Sequence, residues 1–308
     1  MLKLLNNRTF ILIFAFVAGL IFSDLASLIE QLTLPALAMV LTVSATQVSV
    51  KEFWPIKTIL RPVMIALVLN YLLLGSLILI LAWWLMPTWD LWIGYVLVAA
   101  APPGIAIVPF TFVLRGNFKL SLVGTFGVYL LSLLLTPALV YVFTGEAAVT
   151  PAQLFNTMLM LIILPFILSQ FLRSGKPAYY ISRFKGNLIN WGFFIVIFTV
   201  VGLNRDVFLK DYQILIPVSI VAIISCFGLA AMVEILGKKL SIPESERNSF
   251  MLLSTIKTSA FAAAVGLALY SEAASIPGAV ISAWYAIYFI LLGIKGDRMK
   301  IFQAKPGP

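Results

Sequence analysis

Residues 99–116 read "AAAPPGIAIVPFTFVLRG". The stretch is apolar enough for the middle of a membrane helix, yet it carries Pro102, Pro103, Gly104 and Pro109. Each proline lacks a backbone donor and obstructs helical continuation. The spacing therefore predicts a helix broken near Gly104, with carbonyls freed around residues 98–105. At membrane depth, unpaired backbone groups are tolerated only where protein or a water-filled cavity meets them. A break here points to a cavity between helices.

Working outward, the chain of 308 residues is 62% hydrophobic and 11% charged, which places it among integral membrane proteins. Apolar segments long enough for tilted helices fall at about residues 9–29, 32–49, 58–86, 90–114, 118–143, 152–172, 188–204, 213–237, 249–270 and 274–294. The polar start Met1 to Arg8, with Asp24 and Glu30 after the first apolar run, predicts a retained first span and not a cleaved leader. Ten spans put both termini on one side. Of the 21 Lys and Arg residues, all but Arg205, Lys210 and Lys257 fall in one alternating set of loops and tails. By the positive-inside rule that set is cytoplasmic, in a multi-pass protein of the cytoplasmic membrane.

The net charge of +9 is scattered between spans, so it reads as orientation in the bilayer and not as nucleic-acid binding. Cys226 is the one cysteine and histidine is absent, which disfavours a disulfide, a thiolate or imidazole metal site and an intramembrane enzyme. No cofactor is expected, and the connections leave no room for an extramembrane catalytic domain.

The second unusual stretch is "LLSTIKTSAFAAAVGLAL", residues 252–269, with Lys257 inside the ninth apolar segment. A lysine there costs about 2.5–3.5 kcal/mol on insertion scales. Snorkelling toward the cytoplasm is the plain explanation. The neighbours Ser254, Thr255, Thr258 and Ser259 favour a protein-facing position. The order of features also recurs across the midpoint: a long third span precedes the punctuated fourth, and a long eighth precedes the small-residue ninth. Five spans per copy is odd, so the copies enter from opposite sides. This predicts two inverted repeats, residues 1–147 and 148–295, followed by a cytoplasmic tail, 296–308.

With these residues in view, "PPGIAIVPFTFVLRGNFKLSLVGTFGVYLLSLLLTP", residues 102–137, resembles the fourth and fifth helices of the bile acid:sodium symporter family. That family lies in the bile/arsenite/riboflavin transporter superfamily. The resemblance implies an all-α membrane fold of ten helices, with panel and core domains and crossing, discontinuous fourth and ninth helices. It also implies secondary transport of small organic anions by alternating access. Carried over by position, the family's sodium ligands fall on Ile107, Val108, Ser121, Thr125, Leu253 and Lys257. Four of the six can no longer ligate sodium through a side chain, the carboxylate included.

The expectation is a sodium-independent carrier of carboxylates or bile-acid-like anions, in which the Lys257 ammonium replaces a sodium ion. Lys257 acts either as a fixed cation or as a group that exchanges a proton, so H+ coupling is open. Candidate cavity residues are Gly104, Thr111, Ser121, Thr125, Thr255, Lys257, Thr258 and Ser259. A sodium-coupled symporter using backbone carbonyls and a non-transporting sensor or scaffold of the same fold remain alternatives.

Overall fold

A computed structural model describes residues 8–46, 56–145, 156, 159–173 and 175–303. Within them the regular elements are helical, apart from one isolated bridge between Pro103 and Lys257. α1 (Arg8–Ile21) and the short α2 (Ser23–Leu28) lead into α3 (Thr33–Ala45). α4 runs through Ile56–Leu67, a π-helical stretch Val68–Gly75 and Ser76–Leu85. α5 (Trp89–Ala100) and α6 (Ile107–Val113) are the two pieces of the segment that opened the sequence reading, and α7 (Phe118–Thr144) follows.

In the second half, α8 joins a π-helical Leu159–Ile163 to Leu164–Leu172. After it come α9 (Gly175–Leu203) and α10 (Arg205–Leu209). α11 passes from Tyr212–Ile223 through a π-helical Ile224–Gly228 to Leu229–Lys239. α12 (Glu244–Leu253) and α13 (Ser259–Leu269) are again two pieces of one predicted segment, and α14 (Glu272–Gln303) closes the chain.

Five continuous helices among the described residues are long and apolar enough to cross a membrane, and Phe10–Ile21, Glu30–Val43, Trp89–Ala100 and Ser259–Leu269 are shorter apolar helices. The protein is a multi-pass, helical membrane protein. Trp83, Trp84 and Trp89 are exposed around the end of α4 and the start of α5, as amphipathic rings are at a membrane–water boundary.

Several boundaries differ from the sequence expectation. The seventh segment begins at Gly175, not at 188, so its basic start is helical. α14 continues through the expected start of the tail at 296 as far as Gln303. The expected boundary at 147/148 and residues 47–49 of the second segment lie outside the described residues. Pro109 is a further correction: it occupies the third position of α6 and does not break it. The amides of a helix's first turn have no intrahelical acceptor, so a proline there removes nothing. The interruption at 101–106 belongs to Pro102, Pro103 and Gly104.

Two packing groups surround this interruption. α9 packs on α1 and α3, and α3 also packs on α8. Elsewhere α4 lies on α7, while α14 packs on both α5 and α13. Close approach between α13 and α14 needs small residues: a Cβ on Gly278 would stand 2.6 Å from the Ala263 nitrogen.

Candidate functional site

α5 stops at Ala100 because Pro102 and Pro103 cannot extend it, and α12 stops at Leu253 before the non-helical residues 254–258. The two interruptions lie against each other like a short antiparallel ladder. Gly104 N donates to Ile256 O at 3.1 Å and Thr258 N to Pro102 O at 3.0 Å. The Thr258 hydroxyl donates to Pro103 O at 3.0 Å. Gly104 is required by this approach, since a Cβ would lie 2.6 Å from Ile256 Cγ2 and 3.0 Å from Lys257 O.

Lys257 turns back across the interruption. Its Nζ donates to Ala99 O at 2.7 Å and to Ala101 O at 2.9 Å, and lies 3.9 Å from the centre of the Tyr71 ring. Two carbonyls and a π-face match the three N–H donors of an ammonium. The C-terminal end of a helix carries a partial negative charge, which α5 presents here. Among the described residues no carboxylate pairs with the group; Asp206 is held by Lys210, and Glu234 by Lys238, Arg247 and Lys295. Only 2% of Lys257 is exposed, which overturns snorkelling as its explanation.

The π-helical stretch of α4 aims two consecutive residues at this crossing. Asn70 Nδ2 donates to Leu253 O at 2.9 Å and Ile256 O at 3.2 Å, holding the end of α12. Tyr71 O–H donates to Ala100 O at 3.0 Å, an oxygen that also accepts from Thr136 at 2.7 Å. From the other side, Tyr285 of α14 accepts from Lys257 N at 2.8 Å and donates to Thr255 O at 3.0 Å. A peptide unit freed by each interruption is thus met by a side chain from an uninterrupted helix, as a low-dielectric surrounding requires.

Beside the crossing lies a cavity of about 100 Å³, bounded by Leu12 of α1, Phe193 of α9, Tyr285 and Phe289 of α14 and both interruptions. Of the expected cavity residues, Gly104, Lys257, Thr258 and Ser259 line it. Ser259 shares a 2.8 Å hydrogen bond with Ser282, another lining residue.

The remaining four stand elsewhere. Thr111 donates to Ile107 O at 2.7 Å and Ser121 to Ser249 at 3.0 Å. Thr255 bonds to Met251 O at 2.7 Å and pairs with Tyr288 at 3.0 Å. Thr125 is buried with no hydrogen-bond partner at its hydroxyl. Tyr71, Tyr285 and Ser282 were not anticipated. Their only sequence signal is polar character deep inside an apolar span, away from the boundary where tyrosine is ordinarily found.

Among known proteins, the pattern of the Sodium Bile acid symporter family matches residues 34–211, more than half of the chain. The matched stretch includes the first interruption and ends before Lys257. An "uncharacterized sodium-dependent transporter YocS" of Bacillus subtilis (strain 168) is 26% identical over 199 residues, 63% of this chain. The alignment spans 60% of that relative's length. With the α5–α6 interruption present in the fold and the family pattern running across it, the chain belongs to the sodium bile acid symporter family.

Proposed function

We propose that the protein is a secondary transporter of small organic anions that works by alternating access, with Lys257 in the place of a coupling sodium ion. The observation that carries the reading is the bridge from Lys257 Nζ to Ala99 O and Ala101 O, one tethered cation joining both interruptions. The cavity beside them is mostly apolar, with hydroxyls at Thr258 and Ser259 and the N-terminal end of α13. That combination suits a carboxylate attached to a hydrocarbon body.

In this reading the five long helices, α1, α3 and α8, and the two interrupted pairs α5–α6 and α12–α13 make ten crossings in two inverted repeats. α1, α3, α8 and α9 form a panel that rocks against the rest. The termini are cytoplasmic, as the basic loops favour.

Sodium independence is supported by the oxygen inventory. Every carbonyl from Ala99 to Pro103 already accepts from a protein donor. Ile107, Val108 and Leu253, at positions where the family resemblance implies sodium ligands, are buried hydrocarbon. A second positive ion beside the ammonium would be repelled.

The test is uptake of short-chain monocarboxylates into proteoliposomes, with sodium or choline outside. The expected result is equal flux in both, abolished by Lys257→Met. A requirement for sodium would remove the claim that the lysine has replaced it. A pH dependence of parental uptake that is missing from the residual flux of Lys257→Gln would support proton exchange at this residue, and an unchanged profile in that residual flux would exclude it.

A further inference from the structure

Ile105 lines two cavities. The larger is the one beside Lys257. The smaller, about 20 Å³, also touches Ile105 and lies against Leu41 and Ala45 of α3, Phe126 and Tyr129 of α7 and Pro165 of α8. Ile105 is the one residue common to the two linings.

The bounding helices correspond in pairs under the proposed inverted repeat. α1, α9 and α14 are the first, seventh and tenth crossings, and their counterparts are the sixth, second and fifth, which are α8, α3 and α7. The small cavity therefore stands where the pseudo-twofold would place the large one. One is open and its counterpart is nearly collapsed, an asymmetry expected of a protein caught on one side of an alternating cycle.

Tyr129 adds an independent observation. It lines the small cavity, is 8% exposed, and its hydroxyl is buried without a hydrogen-bond partner. An unpaired buried donor has lost its hydration with nothing in exchange. A space of this size holds one water at most, and the rest of the lining is hydrocarbon, which gives a water no other acceptor or donor side chain. A donor held at such a cost is accounted for if an acceptor arrives when the cavity opens.

We propose that the small cavity is a second substrate station, collapsed in this conformation and reached past Ile105, where the Tyr129 O–H donates to the anion's carboxylate. The inference rests on the transport reading above. It names the site that the opposite-facing state uses and the residue that recognises charge there.

The test uses purified full-length protein in detergent, with Cys226→Ala removing the native thiol. Single cysteines are placed in the large cavity, Ser282→Cys, and in the small one, Ala45→Cys. Each is labelled with an anionic methanethiosulfonate (sulfonatoethyl) and a neutral one (hydroxyethyl). Ser282→Cys is expected to react readily and Ala45→Cys slowly. Ile105→Ala, or the milder Ile105→Val, should speed Ala45→Cys by a far larger factor than Ser282→Cys, whose continued reactivity also reports correct folding. Tyr129→Phe should slow the anionic reagent at Ala45→Cys by about tenfold, as loss of one hydrogen bond to an anion predicts, and leave the neutral reagent alone.

Resistance of Ser282→Cys to both reagents would sink the transport reading itself. A reactive Ser282→Cys with Ala45→Cys inert even beside Ile105→Ala would overturn the second station and leave transport standing. Equal slowing of both reagents by Tyr129→Phe would make the phenol a packing group and overturn its role as donor.

Discussion

Lys257 and Ala99 are 158 positions apart in the chain, and the Nζ of one lies 2.7 Å from the carbonyl oxygen of the other. Together with the bond to Ala101, this makes a side chain of the second interrupted pair the cap of the first. A helix end buried in a membrane must satisfy its last carbonyls somehow. Here a covalently tethered cation does it, and unlike a bound ion it cannot dissociate.

Lys257→Met should therefore destabilise the protein, by about 1–3 kcal/mol for each buried acceptor left unpaired, and abolish flux. Lys257→Arg is not expected to restore either property, because a planar guanidinium cannot reproduce the compact, three-directional ammonium. Thermal unfolding in detergent, paired with proteoliposome uptake, checks both. A Met variant as stable as the parent would show that the carbonyls find other donors.

Removing the cation should also change the response to salt. The parent's midpoint of unfolding is expected to be the same in sodium and in choline at equal ionic strength. In Lys257→Gln the carbonyls of Ala99 and Ala101 and the new amide oxygen become available to a hard cation. Sodium at a hundred times its dissociation constant would then stabilise by about 2.7 kcal/mol. A sodium titration of the two proteins side by side reads this directly.

Gly104→Ala places a methyl group 2.6 Å from Ile256 Cγ2. The ladder between the interruptions must then spread, lengthening the Gly104–Ile256 and Thr258–Pro102 hydrogen bonds. The expected outcome is a folded protein of lower thermal stability that transports at a small fraction of the parental rate. Alanine at Gly186, where a Cβ meets nothing within 4 Å, serves as the control and should be silent.

Asn70→Leu keeps volume and loses the donor to Leu253 O and Ile256 O. A loss of about 1–3 kcal/mol is expected, with faster amide exchange at the end of α12. Hydrogen exchange read by mass spectrometry locates the effect, and exchange unchanged in α12 would show that Asn70 does not hold it.

Tyr71 contributes two separable contacts. Tyr71→Phe retains the ring under the ammonium, and Ala100 O still accepts from Thr136, so its effect should be small. Tyr71→Leu also removes the π-face, worth about 0.5–2 kcal/mol for a desolvated cation. Leu should consequently be the more damaging variant in both stability and uptake, and its excess cost over Phe should shrink in a Lys257→Met background, a coupling that a simple packing role would not produce.

The solvent and the punctuation of this fold are written in runs of consecutive residues. Apolar run length is a property of consecutive residues, so helical crossing segments could be read directly, as could the stop at Pro102 and Pro103 and the unusual position of Lys257. Local patterns also misled where position within a helix matters: Pro109 reads as a breaker, yet a proline in the first turn costs no hydrogen bond. The partners of Lys257 emerge only from the way the two interruptions cross. They are the carbonyls of Ala99 and Ala101, and every residue has a carbonyl, so no residue type marks them in advance. The same holds for Asn70, Tyr71 and Tyr285, which matter because helices distant in sequence bring them to backbone groups that the interruptions left unpaired. Hydroxyls such as Thr111 and Ser121 look identical on paper to Thr258 and Ser259. The crossing alone separates those that tie helices together from those that face the cavity.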